Sequence, residues 1–317
     1  MNTVKAEELE RHRRELHVHC YRMLGSYHEA EDLVQETFLR AWRKRDEPPD
    51  NLKAWLYKIA TNACLDFLRA NPRRPEPLDT PMAADAGMPW PVSTHVPWIS
   101  PYPDDLLDSV IERETIELAF LVAIQHLPAK QRAIVILRDV LGWSAPETAA
   151  ALDTTVTAVK SALQRARPVL REHLPAQRMS SGSADELAVV RTYIHALEQG
   201  DPSVLPALLA SDVWQTMPPT PGWILGRDAF VSSWGPQMSG EASWGDWRVL
   251  PARVNRQPAI AAYLRRPGEE VFSAFWLGVF RMEGPLISEI TTFDHELFPE
   301  MGLPDSFSGD ASSYGHD

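Results

Sequence analysis

Cysteine is nearly absent: Cys20 and Cys64 are the only two in 317 residues, and each falls inside a helical pattern. Two thiols so placed exclude a disulfide scaffold and fit a reducing compartment. No apolar run is long enough to span a bilayer, and no charged-then-apolar leader opens the chain. A soluble, cytoplasmic protein with no membrane partner is therefore expected. Also missing are a glycine-rich phosphate loop and a Gly-x-Ser-x-Gly nucleophile motif, so neither an enzyme nor a cofactor is expected. His17, His19 and Cys20 are ligand types, but the rest of a set with zinc-like spacing is lacking. They read as ordinary helix residues, and no metal site is expected.

Positive charge is scarce as well. Lys and Arg number 31 against 43 Asp and Glu, a net charge of −12. Divided along the chain, the balance is +2 for residues 1–75, −8 for 76–122, +3 for 123–175 and −9 for 176–317. The two mildly basic stretches are thus separated and followed by acid. Such weak basicity predicts poor unaided affinity for DNA. The length calls for two or three domains.

What is present begins with helical periodicity. In residues 29–45, EAEDLVQETFLRAWRKR, the apolar stripe is Ala30, Leu33, Val34, Thr37, Phe38, Ala41 and Trp42. Asp32, Gln35, Glu36 and Leu39 fall on other faces and leave an acidic edge beside it. In residues 54–69 the seam is Leu56, Ile59, Ala63 and Phe67, with Lys58, Asn62 and Arg69 pointing elsewhere. Pro48 and Pro49 end the first helix. Residues 71–103 are dense in proline and lack periodicity, which marks a linker and a boundary.

Helical pattern returns over 106–126, then over 128–139, 146–152 and 156–173, with a turn at Gly142. In the last helix Val156, Val159, Leu163 and Ala166 face inward. Thr155, Thr157, Lys160, Ser161, Gln164, Arg165 and Arg167 remain outside. A short helix, tight turn and longer helix with a basic, hydroxyl-rich outer face fits a helix-turn-helix that reads the major groove. It fits a solvated amphipathic helix equally well.

The wording decides. CYRMLGSYHEAEDLVQETFLRAW followed by NLKAWLYKIATNACLDFLR resembles the helical module of extracytoplasmic-function sigma factors, the promoter-recognition subunits of bacterial RNA polymerase. Residues 127–174 resemble the second module of the same family. Asp153 stands at the turn where that family usually has a small residue, and Thr154 where it has an apolar one. The resemblance implies that Asp32, Gln35, Glu36 and Leu39 bind core polymerase. It implies that Asn51, Lys53, Trp55, Lys58 and Asn62 melt and capture the downstream (−10) element. Thr155, Thr157, Lys160, Ser161, Gln164 and Arg165 would read the upstream (−35) element, and the linker would thread toward the polymerase active centre. Core RNA polymerase and promoter DNA are the implied partners.

Beyond a second linker at 176–184 the pattern changes. A helix over 185–199 and another starting at Asp201-Pro202 precede period-2 stretches at 213–217, 247–251, 253–255, 259–264, 271–282 and 286–294, with a turn at Glu283-Gly284. Two helices and a meander of long strands predict an α+β domain whose curved sheet folds around a helix. MPPTPGWILGRDAF, VNRQPAIAAYL and ISEITTFDHELF resemble the SnoaL-like family of cone-shaped polyketide-cyclase-type domains. That resemblance implies a cavity, with Trp214, Met217, Trp223, Trp234, Asn255, Trp276 and Asp294 as candidate lining and an unknown small ligand as a further partner. Each aromatic taken singly reads more readily as core, and Asp294 at a strand end more readily as a turn residue than as a base.

The expected architecture is multidomain, with two all-α modules and a C-terminal α+β cone. The boundaries are 1–74 and 106–175 for the helical modules, 75–105 for an acidic, flexible linker and 185–303 for the cone, with a disordered tail from 304. The expected function is a sigma factor controlled in cis by its C-terminal domain. The alternative is a one-component regulator or a fused small-molecule enzyme, neither of which has a use for the first module.

Overall fold

The computed structural model describes residues 4–46, 49–71, 99–107, 115–174, 184–218 and 220–308. The connectors 72–98 and 175–183, residues 108–114 of the helix expected over 106–126, and the tail from 309 lie outside the described residues. Contacts divide the described chain into a helical unit, which takes in residues 99–100, and an α+β unit, which takes in residues 101–105.

The helical unit opens with α1 (Ala6–Glu10), α2 (Arg13–Leu24), α3 (Tyr27–Arg43) and α4 (Leu52–Ala70). Gly25, at φ +77°, ends α2, and Ser26 caps α3 by accepting the Glu29 N–H. Asn51 caps α4 in the same way, its side-chain oxygen 3.0 Å from Ala54 N. On α3 the expected Ala30, Leu33, Val34, Thr37 and Ala41 are buried, whereas Trp42 is exposed. On α4 Leu56 and Ala63 are buried as expected, but Ile59 and Phe67 are only half-buried. Tyr57, Ala60, Thr61 and Cys64 fill the core instead. The reason is that α4 meets α6 as well as α2 and α3, which turns its buried arc around the axis.

The second helical set comprises α5 (Leu118–Gln125), α6 (Ala129–Val135), α7 (Ala145–Ala151) and α8 (Val156–His173), with one π turn, Ile136–Val140, continuing α6. Ser144 and Glu147 form a capping box at the start of α7. Asp153 holds the tight turn before α8 at φ +45°, a backbone region costly for most side chains but tolerated by Asp. Val159, Leu163 and Ala166 are buried under α8, and Val156 is half-buried.

The α+β unit carries α9 (Ala184–Gln199), α10 (Leu205–Leu208) and α11 (Arg227–Met238) on a sheet of order β2-β1-β6-β5-β4-β3. Its strands are β1 (Leu209–Met217), β2 (Thr220–Leu225), β3 (Asp246–Val254), β4 (Gln257–Arg265), β5 (Phe272–Glu283) and β6 (Leu286–Phe293), with β7 (Ser306–Phe307) added to β5. The sheet is mixed and not a plain meander, because β1 runs parallel to β6. Its concave face packs Ile260, Ala262, Leu264, Trp276 and Phe280 against Val190, Tyr193, Leu197 and Phe230 of the helices. β3 is continuous where the pattern suggested 247–251 and 253–255, since at the sheet edge Pro251 needs no ladder donor. The turn after β5 is Gly284 and Pro285, one residue beyond the expected pair.

Buried histidine gives the helical unit a pH dependence. His19 is fully buried, with Nε2 2.8 Å from Thr61 Oγ1, and that hydroxyl donates its own proton to Tyr57 O. The hydroxyl can therefore only accept from the ring, so Nε2 carries the proton and Nδ1 is left as an acceptor without a donor. Burial pushes the imidazole down to about 3. The unfolded ring takes its proton as pH falls through its ordinary value of 6.5, and the folded ring does so only near 3. Stability supplied by neutral His19 is thus complete above the higher value and is lost as pH drops toward the lower. At about pH 5 the loss is about 2 kcal/mol. His19→Gln keeps the donor and removes the titration. Its drop in urea-unfolding free energy between about pH 8 and about pH 5 should be smaller than that of the parent by about that amount. An equal drop in both proteins would mean that other groups set the acid sensitivity.

Candidate nucleic-acid interface

Helices α3 and α4 splay apart over a groove of about 370 Å³ lined by Arg40, Arg43, Lys44, Trp55, Lys58, Ile59 and Asn62. Trp55, Lys58 and Asn62 were expected from sequence to belong to one nucleic-acid set, and the fold brings these three side chains to one groove. The three cations from the end of α3 were not. They follow the apolar stripe as a plain basic run, and only the angle between α3 and α4 turns them toward the same space. The groove combines an indole and an apolar wall, which suit a base, with cations, which suit phosphate. Arg40 is braced on one side by Glu36 (2.7 Å) and on the other by Asp66 (3.3 Å). The Glu36 carboxylate, more than Asp66, raises the Arg40 pKa.

Two members of the expected set stand elsewhere. Asn51 is occupied as the α4 cap, and Lys53 lies 2.5 Å from Glu15. Lys53 and His12 hold Glu15 below the ordinary carboxylate range against the opposing effect of its burial. Lys58 reaches across to the second helical set, where its Nζ donates to Ala150 O (3.0 Å) and Asp153 Oδ1 (3.1 Å).

On α8, Thr157, Lys160, Gln164 and Arg165 are exposed along one outer face, with Ser161 half-exposed beside them. Thr155 is exposed too, but its hydroxyl caps the helix by accepting Ala158 N–H. The short α7, the Asp153 turn and the longer α8 thus place polar donors on a convex ridge with no core role. On α3, Asp32 and Gln35 are exposed, Glu36 is half-exposed, and Leu39 is 53% exposed. Beside them Trp42 carries the Arg45 guanidinium 4.5 Å above its ring. An exposed apolar pair, Leu39 and Trp42, thus stands next to the carboxylates of α3.

In the α+β unit the expected cavity residues disperse. Trp234 and Trp276 do meet, with ring centroids 6.3 Å apart, in a cluster with Trp244, Trp247 and Phe275. Trp234 Nε1 donates to Gln215 Oε1 (2.6 Å), and Gln215 donates in turn to Thr292. Trp214 neighbours Gln215 on β1 and therefore projects from the opposite face of the sheet. Met217 is half-buried at a bulge, and the Trp223 side chain lies outside the described residues. Asp294 is exposed after β6, where it accepts the Glu296 N–H as a turn residue. Asn255 is buried in the β3–β4 turn at φ +53°, and its side chain accepts from Tyr102 N (2.8 Å). Its own N–H donates to Tyr102 O (2.9 Å). Asp104 adds to that junction by accepting from Arg256 N and pairing with Arg253. Burial raises the Asp104 pKa, and those donors oppose the rise.

Among the described residues no helix is long and apolar enough to cross a membrane, and no three His, Cys, Asp or Glu converge as a metal site. Residues 9–74 match Sigma-70 region 2, and residues 117–168 match Sigma-70, region 4. The ECF RNA polymerase sigma factor SigG of Mycobacterium tuberculosis is 41% identical over 311 residues, covering 94% of this chain and 83% of that protein. The ECF RNA polymerase sigma factor SigW of Bacillus subtilis is 35% identical over 158 residues, 49% of this chain and 80% of its own. The crystal structure of the extracytoplasmic function sigma factor SigJ of Mycobacterium tuberculosis superposes with a TM-score of 0.60 at 21% identity. It covers 95% of this chain and 100% of its own, and so shares the fold. The chain belongs to the extracytoplasmic-function RNA polymerase sigma factors, with an α+β domain behind the two sigma modules.

Proposed function

We propose that this sigma factor captures an unpaired promoter base in the groove between α3 and α4. In this reading α8 reads the upstream duplex, the acidic edge of α3 docks on core polymerase, and the C-terminal domain controls both modules in cis. The observation that carries the first part is the convergence of Trp55 with Arg40, Arg43, Lys44, Lys58 and Asn62 on one groove. A base–indole stack contributes about 1–3 kcal/mol without sequence preference, and the surrounding cations hold the backbone that enters with it. Lys160, Gln164 and Arg165 present donors of the kind that make base-edge and phosphate contacts in a major groove. As a sigma factor the chain directs transcription initiation and is not an enzyme.

Cis control rests on the stretch that ends the linker between the modules. Residues 101–105 belong to the α+β unit, with Tyr102 buried and exchanging hydrogen bonds with Asn255. A linker held by the C-terminal domain lets that domain govern how the two sigma modules are spaced. A small ligand preferring one arrangement would shift the balance by its differential affinity.

Three measurements test these assignments. Charge reversal at Asp32 and Glu36 should weaken association with core enzyme in a pull-down at unchanged helix content, and unaltered affinity would remove the docking edge. Trp55→Ala should leave closed-complex formation intact and reduce promoter opening read by permanganate reactivity, whereas Arg165→Ala should impair the closed complex. Full opening by Trp55→Ala would make that indole mere packing. For cis control, Asn255→Gly keeps the left-handed turn and deletes the acceptor for Tyr102. This variant, and a chain cut after Met179, should both differ from the parent in transcription with core enzyme at matched concentration. Two variants indistinguishable from the parent would end the regulatory proposal.

A further inference from the structure

We propose that Asp153 acts as an internal stand-in for a DNA phosphate. In the free chain its carboxylate occupies the Lys58 ammonium, and nucleic acid must displace it to engage the groove fully. The inference deepens, and rests on, the assignment of that groove to promoter DNA.

Lys58 has two sets of neighbours. Its stem lines the groove with Trp55 and Asn62, while its Nζ lies 3.1 Å from Asp153 Oδ1 and 3.0 Å from Ala150 O. The acceptors stand in the last turn of α7 and in the turn that follows it, neither of which lines the groove. An ammonium has three donors, and two are spent on a carboxylate oxygen and a carbonyl freed at the end of a helix. Those oxygens offer the chemistry that a phosphate offers. The rings of Tyr57, one residue before Lys58, and Trp143, just before α7, meet at 6.0 Å, so the approach of α4 to this region does not depend on the ion pair alone.

The residue at 153 is informative because the backbone does not ask for a carboxylate. At φ +45° glycine or asparagine would serve the turn as well or better. The side chain is 79% exposed and the Lys58 side chain 39% exposed, so the pair is screened by water and salt. A pair of that strength yields to a competing phosphate, which is what a reversible block requires. A deeply buried pair would not yield.

The test reads Lys58 directly in the full-length chain. Limited acetylation with N-hydroxysuccinimidyl acetate, followed by peptide mass spectrometry, gives the rate at Lys58 relative to Lys44, an exposed lysine of the same groove. In Asp153→Asn, which keeps the turn and removes the charge, this ratio should rise about two- to fivefold, the range a surface ion pair sustains. Asp153→Gly, which the backbone also favours, should show the same rise, and added salt should move the parent toward the variants. An equal ratio in the parent and both variants overturns the proposal. Release of Lys58 in both variants, with protection of Lys44 and of the released Lys58 by a single-stranded oligonucleotide, supports it. Failure of that protection alone overturns the groove assignment instead.

Discussion

Two helix ends in the sigma region meet on one guanidinium. Arg132 of α6 is buried, 5% exposed, and donates to Met23 O (2.6 Å) at the end of α2. It also donates to Ile124 O, Gln125 O and Leu127 O at and beyond the end of α5. Gln125 Nε2 reaches Leu24 O from the same side. Carbonyls at a helix C-terminus have no intrahelical partner and carry the negative end of the helix dipole. A buried cation is tolerable only when its donors are used. Here each requirement answers the other. Arg22 repeats the device by donating to the backbone and hydroxyl of Thr115. The two helical sets are therefore joined by directional bonds as well as by apolar packing. That joint brings α4 beside α6 and Lys58 beside the α7–α8 turn.

The joint also explains where the sequence could be read and where it could not. Helix α8 follows from its own residues, with an N-cap Thr155, a clean apolar arc and an end at His173, and the structure has those limits. The arc of α4 does not follow from α4 alone, since which residues are buried depends on a neighbour more than sixty positions away. Pattern could not place Arg40, Arg43 and Lys44 in a groove for the same reason. In the α+β domain, β2 and α11 were missed because their local signals are poor. β2 follows a proline-rich turn, and α11 contains Gly235 and Pro236.

Asn255 shows how a residue read for one role serves another. Its burial and polarity are what a cavity residue would have, and from sequence alone the two cannot be separated. In the fold its left-handed backbone turns β3 into β4, while its carboxamide and N–H bind Tyr102, 153 positions earlier in the chain. Pro103 adds a bridge to Val254, and Asp104 holds Arg256 N. A short stretch of the linker thereby completes the edge of the sheet. Edge strands expose unpaired backbone groups, and covering them is a general need of β structure. Here the cover is made by the segment that leads into the second sigma module, so satisfying the sheet and holding the linker are one act.

Electrostatics unify the two sigma modules. Their charge is only +2 and +3, and several of their cations already have an acidic partner within the chain. Arg40 is held by Glu36 and Asp66, Lys53 by Glu15, Lys58 by Asp153 and Arg167 by Asp139. A cation paired internally has its charge partly cancelled by its own carboxylate, so it neutralises less of a phosphate and adds little to unaided DNA affinity. Each of these pairs is at least partly exposed, so each contributes little to stability and is easily exchanged. Such pairing favours weak unaided DNA binding, and exposed pairs lose little when traded for phosphates. Affinity then comes from the larger enzyme that holds the promoter in place. In the reading proposed above, the carboxylates that hold these cations in the free chain would give way to promoter phosphates.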